Sequence, residues 1–281
     1  MPNCDPEADR LFVQSLARGL KVLEAFTPDR DQLTLTELAR LTGLGMAAVQ
    51  RYTHTLTCLG YLSRGRHKEF RLGPGVLSLG YSSLRGSELR KLAEAQLGHF
   101  SREVGFSVNL GVLQGRDVLI LYRHEMARFF KFDLQAGSRL PAHCSAMGKL
   151  LLAALPPGEL RKRLVGAELE PVTPLTITSR RLLEQDLAEI RAQGWAASDG
   201  EASLALYSLA VPVLNAEAQV VAALNLSLPR LEEDDKRRRR MLERLLKEGR
   251  RFSERLGYRG DYPQIPTATA GDPAGRRRKR S

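Results

Sequence analysis

The chain has 281 residues, 43% of them hydrophobic, which is enough for two domains that each bury a core. No run of about 18 uncharged apolar residues occurs, and the acidic amino end lacks an apolar core, so we expect neither a membrane span nor a signal peptide. The three cysteines are scattered, with no zinc or disulfide spacing, which favours a reducing, cytoplasmic setting.

Positive charge is concentrated towards the two ends of the chain, and the formal net charge is +11. Residues 1–85 contain 11 basic and 8 acidic side chains, residues 86–230 contain 16 and 15, and residues 231–281 contain 16 and 9. Basic ends favour a polyanionic partner such as nucleic acid, although they also simply increase solubility. Charge alone does not separate these two possibilities.

The first predicted element is a helix over SLARGLKVLEAF, residues 15–26, with Leu16, Leu20, Leu23 and Phe26 on one face. The segment GLGMAA, residues 43–48, matches the consensus G-x-G-x-x-A of a dinucleotide-binding loop. Such a loop requires a preceding strand. Here Thr34 and Glu37 form a capping box instead, and leucines recur at helical spacing after it. We therefore predict that Gly43 ends a helix in a left-handed conformation, and the dinucleotide-binding interpretation fails.

A third helix follows Gly45, so the two helices and their glycine turn form a helix-turn-helix. The outward side of this third helix is predicted to face the major groove of DNA. The residues expected to contact DNA there are Ala47, Gln50, Arg51, Thr53 and His54. The alternative is an ordinary helical hairpin with a solvated polar face.

Two short predicted strands, Tyr61–Ser63 and Glu69–Leu72, flank a basic turn that completes a winged helix-turn-helix. The wing residues Arg64, Arg66 and Lys68 are expected to contact the DNA backbone. One winged helix buries little surface, so a dimer on paired half-sites is expected.

The remaining chain is predicted to be a helical linker followed by an antiparallel sheet with helices packed on it. The hairpin FSVNLGVLQGRDVLILYRHE, a third strand FFKFDLQ (129–135) and the last two strands, LALYSLAVPVLN and VVAALNLSL, supply that sheet. The fold class is therefore α+β. The predicted organisation is a disordered start (1–10), a DNA-binding domain (11–74), a linker (75–88), a GAF-like domain (89–257) and a disordered basic tail (258–281).

Several segments together resemble the IclR family of bacterial transcriptional regulators. They are SLARGLKVLEAF, LTLTELARLTGL, VQRYTHTLTCLGYL and FRLGPGVLSLG in the first part and AGSRLPAHCSAMGKLLLAALP, AVPVLN and VVAALNLSLP in the second. The sequence AGSRLPAHCSAMGKLLLA is most similar to members of the branch that controls aromatic-acid catabolism through the β-ketoadipate pathway. GMAAV departs from the more usual polar start of the recognition helix, which leaves the operator sequence open.

The resemblance implies an operator-binding protein of the bacterial cytoplasm and nucleoid, which forms homodimers or homotetramers and responds to a small effector. A carboxylate effector fits the segment around a predicted helix start that contains Arg139, His143, Ser145 and Met147. The structural alternatives are a surface cation at Arg139, a satisfied loop histidine at His143, and a role for Ser145 as the helix cap alone.

Asn225 and Ser227 alternate with leucines on a predicted strand, so both lie on one face. The resemblance implies that this face meets the effector, and that Glu201 occupies an acidic position near it. Solvent exposure of the pair, or a structural hydrogen bond at Glu201, are the alternatives.

We predict no catalytic residues, no metal site and no cofactor. His143, Cys144 and Ser145 suggest a thiol nucleophile, but adjacent loop residues rarely have the facing geometry that activation needs. The five histidines are scattered, and no phosphate-binding loop or nucleophile elbow is present. The remaining alternatives are a small-molecule-metabolising enzyme and a non-specific nucleic-acid-binding protein, each with an accessory helix-turn-helix.

Overall fold

The computed structural model describes residues 9–126, 134–230 and 234–266, and the chain divides after Ser87 into two compact units. In chain order, the elements of the first unit are α1 (Gln14–Glu24), α2 (Leu35–Thr42), α3 (Met46–Cys58), β1 (Leu62–Arg64), β2 (Phe70–Leu72) and α4 (Pro74–Gly86). The last of these covers most of the range predicted for the linker.

The turn between α2 and α3 forms as its sequence predicts. Thr34 accepts a hydrogen bond from the backbone N–H of Glu37, whose side chain accepts one from the Thr34 backbone, so the capping box is complete. Gly43 ends α2 with a φ of 68°, in the left-handed region that glycine tolerates best. The antiparallel hairpin β1–β2 follows α3 as the wing.

The core of the first unit differs from the predicted face of α1. Val22 and Phe26 are buried against α2 and α3, in a cluster that also contains Leu38 and Val49. By contrast, two leucines of the predicted face are exposed, Leu16 at 63% and Leu20 at 50% of their full surface. The inward face of α1 is therefore narrower than its spacing of leucines indicates.

The second unit is built on one six-stranded antiparallel sheet. Its elements are α5 (Glu88–Val104), β3 (Ser107–Gln114), β4 (Asp117–His124), β5 (Arg139–Pro141), α6 (Ala146–Ala153), α7 (Pro157–Leu164), α8 (Arg180–Gln193), β6 (Ala196–Asp199), β7 (Leu206–Leu214), β8 (Val220–Pro229) and α9 (Asp235–Arg255). The strand order is β5-β4-β3-β8-β7-β6. The predicted α+β class, with a winged helix-turn-helix before an antiparallel-sheet domain, is confirmed. None of the described helices is long and apolar enough to cross a membrane.

Helices cover both faces of this sheet. On one face, apolar residues such as Val108, Leu209 and Leu226 pack against α5 and α9. On the other, smaller residues such as Ala210 and Ala223 pack against α6 and α8. Because successive residues of a strand point to opposite faces, the polar residues that alternate with these leucines lie on the α6 side.

Three boundaries differ from the sequence-based predictions. Most of the predicted third strand, residues 129–133, lies outside the described residues, and the strand that pairs with β4 is β5 instead. The short edge strand β6 was not predicted. The predicted disordered tail also begins too early, because Tyr258 and Ile265 are buried and the Tyr262 hydroxyl donates a hydrogen bond to the Pro212 carbonyl.

We expect Gly148→Ala to lower the free energy of unfolding by about 1–3 kcal/mol, because the added methyl group overlaps the backbone of Ala142. Gly158→Ala is the matched control. Gly158 also lies in a helix, but no atom lies within 4 Å of the added carbon, so the change is neutral or stabilises by up to ~1 kcal/mol. Urea-induced unfolding measures both. Equal midpoints for the two variants would contradict the packing of α6 on Ala142.

Candidate functional site

The exposed side of α3 forms a concave surface together with the first strand of the wing. Ala47, Gln50, Arg51 and His54 are exposed on the helix, and Arg64 of β1 lines the same concavity. Val49, on the opposite side of α3, is fully buried. The helix is therefore fixed by its apolar side and presents hydrogen-bonding side chains next to a cation.

Thr53 lines the same concavity but is buried, so the structure does not support its predicted contact with DNA. Only 1% of its surface is exposed, and its hydroxyl donates a 2.9 Å hydrogen bond to the Val49 carbonyl. A hydroxyl that is buried and bonded to its own helix cannot reach a base edge. Thr53 instead supports the wall from which Gln50 and His54 project.

The wing carries three exposed cations at and beside its tip, namely Arg64, Arg66 and Lys68. The Gly65 N–H donates to the Glu69 carbonyl at 2.8 Å and closes the turn. Lys68 has a φ of 65°, which is uncommon for a residue with a side chain. The tip thus holds positive charge on a tight turn next to α3.

A pocket in the second unit lies between the α6 face of the sheet and the start of α6. Two polar rows cross its floor. The strand register places Arg123 of β4 opposite Asn109 of β3, which lies opposite Asn225 of β8. The next row consists of serines from four strands, in the order Ser107, Ser227, Ser208 and Ser198. All of these residues line the pocket.

The first row is a directed chain of hydrogen bonds. Arg123 Nη1 donates to Asn109 Oδ1 at 3.0 Å, and Asn109 Nδ2 donates to Asn225 Oδ1 at 2.8 Å. Asn225 Nδ2 then donates to the Leu209 carbonyl at 2.9 Å, and the Ser227 hydroxyl donates to Asn225 Oδ1 at 3.1 Å. Each amide is fixed in one orientation, and the chain originates at a cation.

Arg123 retains an unused donor. Its side chain is 9% exposed, and Nη2 donates to Glu125 Oε1 at 3.0 Å. Its Nε is buried and has no hydrogen-bond partner among the described residues. A buried donor without a partner is costly, so this atom is a natural contact for a ligand oxygen.

The start of α6 supplies the opposite wall. Ser145 caps the helix by accepting a hydrogen bond from the Gly148 N–H at 3.1 Å, and it lines the pocket with Met147. The hydroxyl hydrogen of Ser145 remains available to a ligand. Ser145, Met147, Asn225 and Ser227 are thus brought together in one pocket, as the sequence predicts.

Two predicted effector-binding residues, Arg139 and His143, lie outside this pocket. Arg139 is half exposed, and its Nη1 lies 3.7 Å from Asp117 Oδ2 on the neighbouring strand. His143 is buried with Nε2 at 3.0 Å from the Glu170 carbonyl, in a separate cavity. Neither lines the pocket that contains Ser145. The cation of that pocket is Arg123, which the sequence analysis did not identify.

Glu201 does not line this pocket and is held in a buried ion cluster, so the structure does not support its predicted contact with the effector. Lys149 of α6 is 2% exposed, and its Nζ lies 2.5 Å from Glu201 Oε1 and 3.0 Å from Asp186 Oδ2 of α8. Burial raises the pKa of Glu201, although Lys149 opposes this effect. These three residues join α6 and α8 to the loop that begins at Glu201 and continues to the pocket residues Ala202 and Ser203.

The structure also argues against a thiol nucleophile. Burial raises the pKa of Cys144 to about 11, so the thiol stays protonated at neutral pH. The imidazole of His143 bonds the Glu170 carbonyl rather than the thiol. No group of three or more potential metal ligands occurs among the residues that the structure describes.

Comparison with protein families decides the assignment of the chain. Residues 15–66 match the IclR helix-turn-helix domain, and residues 81–254 match the domain described as bacterial transcriptional regulator IclR C-terminal. The chain belongs to the IclR family. It is a transcriptional regulator whose helix-turn-helix has DNA as its partner.

Individual relatives agree with this assignment. The Pca regulon regulatory protein of Pseudomonas putida is 39% identical over 77% of this chain and 74% of its own length. The p-hydroxybenzoate hydroxylase transcriptional activator of Acinetobacter baylyi is 34% identical over 76% of this chain and 80% of its own. The crystal structure of an IclR homolog complexed with 4-hydroxybenzoate, from Microbacterium hydrocarbonoxydans, matches with a TM-score of 0.68 and 29% identity over 86% of this chain and 99% of that one.

These relatives are regulators, so the chain is not classed among enzymes. They also confirm the predicted similarity to the branch that controls aromatic-acid catabolism.

The sequence does contain a signal for the missed asparagine of the pocket. SVN in β3 and NLS in β8 contain serine and asparagine in opposite order. Antiparallel pairing of such segments places the two serines, and the two asparagines, opposite each other. Arg123 carries no such signal, since only the register of β3 and β4 shows that it faces Asn109.

We expect Lys149→Ala to lower the free energy of unfolding by about 3–5 kcal/mol, because it leaves the buried Glu201 carboxylate without its cation. Lys162→Ala is the control. Lys162 pairs with Glu159 at 3.3 Å but is 60% exposed, so its loss is expected to cost less than ~1 kcal/mol. Chemical denaturation of both variants tests this. A Lys149→Ala midpoint equal to that of Lys162→Ala would mean that this ion cluster does not stabilise the unit.

Proposed function

We propose that this regulator binds a specific operator through α3 and the wing, and that a small aromatic carboxylate in the pocket of the second unit controls this activity. Gln50, Arg51, His54 and Ala47 face the major groove, and Arg64, Arg66 and Lys68 bind the DNA backbone. The exposed polar side of α3, opposite the buried Val49, supports the first part. The second part, binding of an aromatic carboxylate, rests on the Nε of Arg123, which has no hydrogen-bond partner among the described residues.

The carboxylate follows from the charge and the donors of the pocket. Arg123 is the cation among the described residues that line it, and a guanidinium binds a carboxylate through two parallel hydrogen bonds. Asn109 already accepts from Nη1, so an anion that meets Nε completes a network that is otherwise unfinished. Burial makes such a charged contact stronger than it is in water.

The aromatic and hydroxylated character of the ligand follows from the other walls. Phe106, Leu134, Leu140 and Met147 supply apolar surface for a ring, and the serine row supplies hydroxyls for ring substituents. The relatives named for p-hydroxybenzoate and the homolog complexed with 4-hydroxybenzoate support this chemical class. The exposed lining of the pocket is mostly apolar with a few fixed polar groups, which is the usual form of a small-molecule site.

Self-association into a homodimer or homotetramer is also part of the proposal. A single winged helix contacts too little DNA for tight, specific binding, and paired half-sites need two readers. The exposed leucines of the first unit, Leu11, Leu16 and Leu20, offer apolar surface for a second copy. The protein then acts in the bacterial cytoplasm, associated with the nucleoid when bound to DNA.

Replacing Gln50 and Arg51 together with alanine is expected to weaken operator binding by roughly tenfold or more, because two base-reading side chains are lost. The control replaces Arg181 and Gln185, an exposed pair of the same residue types on α8, whose side chains lie 3.3 Å apart. Gel retardation on the promoter next to the gene, at fixed salt and with competitor DNA, measures both. Unchanged retardation by the first variant refutes the DNA-reading role of α3, and binding lost to any competitor favours a non-specific binder.

Replacing Arg123 with glutamine is expected to weaken binding of an aromatic acid by about tenfold to a hundredfold, since a charge-assisted contact is lost. Thermal-shift screening of aromatic and dicarboxylic acids selects the ligand, with 4-hydroxybenzoate as the first probe, and calorimetry gives its Kd. Arg139→Gln is the matched control, because Arg139 lies outside the pocket. Equal affinities of the two variants would remove Arg123 as the anchor.

A further inference from the structure

Glu125 is an acidic residue that pairs with Arg123, which lines the pocket that, on the proposed function, binds an acid. Its Oε1 accepts a 3.0 Å hydrogen bond from Arg123 Nη2, and its side chain is 40% exposed, against 9% for that of Arg123. The cation is thus held in the protein, whereas the anion lies at the surface. This asymmetry distinguishes the pair from an ordinary surface ion pair between two mobile side chains.

The hydrogen bonds of Arg123 show which edge of the guanidinium has an unused donor. A guanidinium presents two edges of carboxylate width, one formed by Nη1 and Nη2 and the other by Nε and Nη2. Nη1 is held by Asn109 Oδ1 at 3.0 Å, and Nε has no partner among the described residues. The edge that remains for a carboxylate is therefore Nε with Nη2, and Glu125 occupies half of it.

We propose that Glu125 is a specificity-determining residue, because its carboxylate competes with the effector's carboxylate for the Nε and Nη2 edge of Arg123. This inference rests on the proposed function, since it requires an acid at Arg123. A ligand carboxylate that takes both donors must displace Glu125 or lie beside it against like-charge repulsion. Glu125 therefore lowers the affinity of the pocket for acids and has no such effect on neutral ligands.

The backbone next to Glu125 is fixed, so the side chain alone provides the movement. The Met126 N–H donates to the Ser107 hydroxyl at 3.0 Å, and Met126 itself lines the pocket. Arg123, two residues earlier, is held by Asn109. Displacement then requires only rotation of the partly exposed Glu125 side chain into solvent, where water replaces Arg123 as its hydrogen-bond partner.

The test compares two variants and two probes by calorimetry on the full chain. Glu125→Gln keeps a hydrogen-bond acceptor and removes the negative charge, so it is expected to tighten binding of 4-hydroxybenzoate by roughly fivefold. Glu184→Gln is the matched control, because Glu184 is 46% exposed and pairs with Arg180 at 2.9 Å on α8. The neutral 4-hydroxybenzamide is the second probe, and its affinity is expected to be the same for all three chains.

Each outcome decides the matter. Tighter binding of the acid by Glu125→Gln alone, with the amide unaffected, supports competition at Arg123. Acid affinity that is unchanged or weaker in Glu125→Gln, or equal tightening of acid and amide, overturns the role of Glu125 and leaves the effector site standing. Failure of every chain to bind any aromatic acid overturns this inference together with the proposed function.

Discussion

The register between β3 and β8 sets the chemistry of the ligand pocket, because it decides which residues of the two strands meet. It places Asn109 opposite Asn225 and Ser107 opposite Ser227, on the face towards α6. A shift of one residue turns a whole strand over. Leu226 and its neighbours would then enter the pocket, and the amides would be buried without partners in the apolar cluster beneath α5 and α9.

The polar row that this register creates is complete except at one end. Asn109 and Asn225 are hydrogen-bonded to each other and to a backbone carbonyl, while the Nε of Arg123 has no partner among the described residues. A ligand oxygen there removes a cost that the empty protein carries, so binding also stabilises the fold. An effector changes DNA affinity only if it binds one state of the regulator better than another, and this buried contact is a source of such a difference.

The sequence was most informative where local chemistry decides the structure. Thr34 and Glu37 contain the signal for the start of α2, and Gly43 contains the signal for its end, so this part of the helix-turn-helix was predictable. Ser145 as a helix cap was predictable for the same reason. Long-range pairing was not, since Arg123 and Asn109 meet only through strand register, and Lys149 meets Glu201 only through the packing of α6.

The errors had similar physical causes. Thr53 is polar, yet a hydroxyl can bond its own helix and be buried, so polarity alone did not give its orientation. Arg139 and His143 are close in sequence to Ser145, but a strand end and a loop direct them elsewhere. Tyr258 and Ile265 lie near a tail without core-forming residues, and burial of these two side chains extends the folded unit beyond the predicted limit.

The serine row across four strands has a consequence for how ligand preference diverges. An alcohol both gives and receives a hydrogen bond, and its proton turns freely about the C–O axis. Ser107 and Ser208, whose hydroxyls donate no hydrogen bond among the described residues, therefore adjust to a donor or an acceptor on the ring without any movement of the backbone. A different ligand preference therefore arises by substitution of the apolar lining residues Phe106 or Leu140, while the serine row stays unchanged.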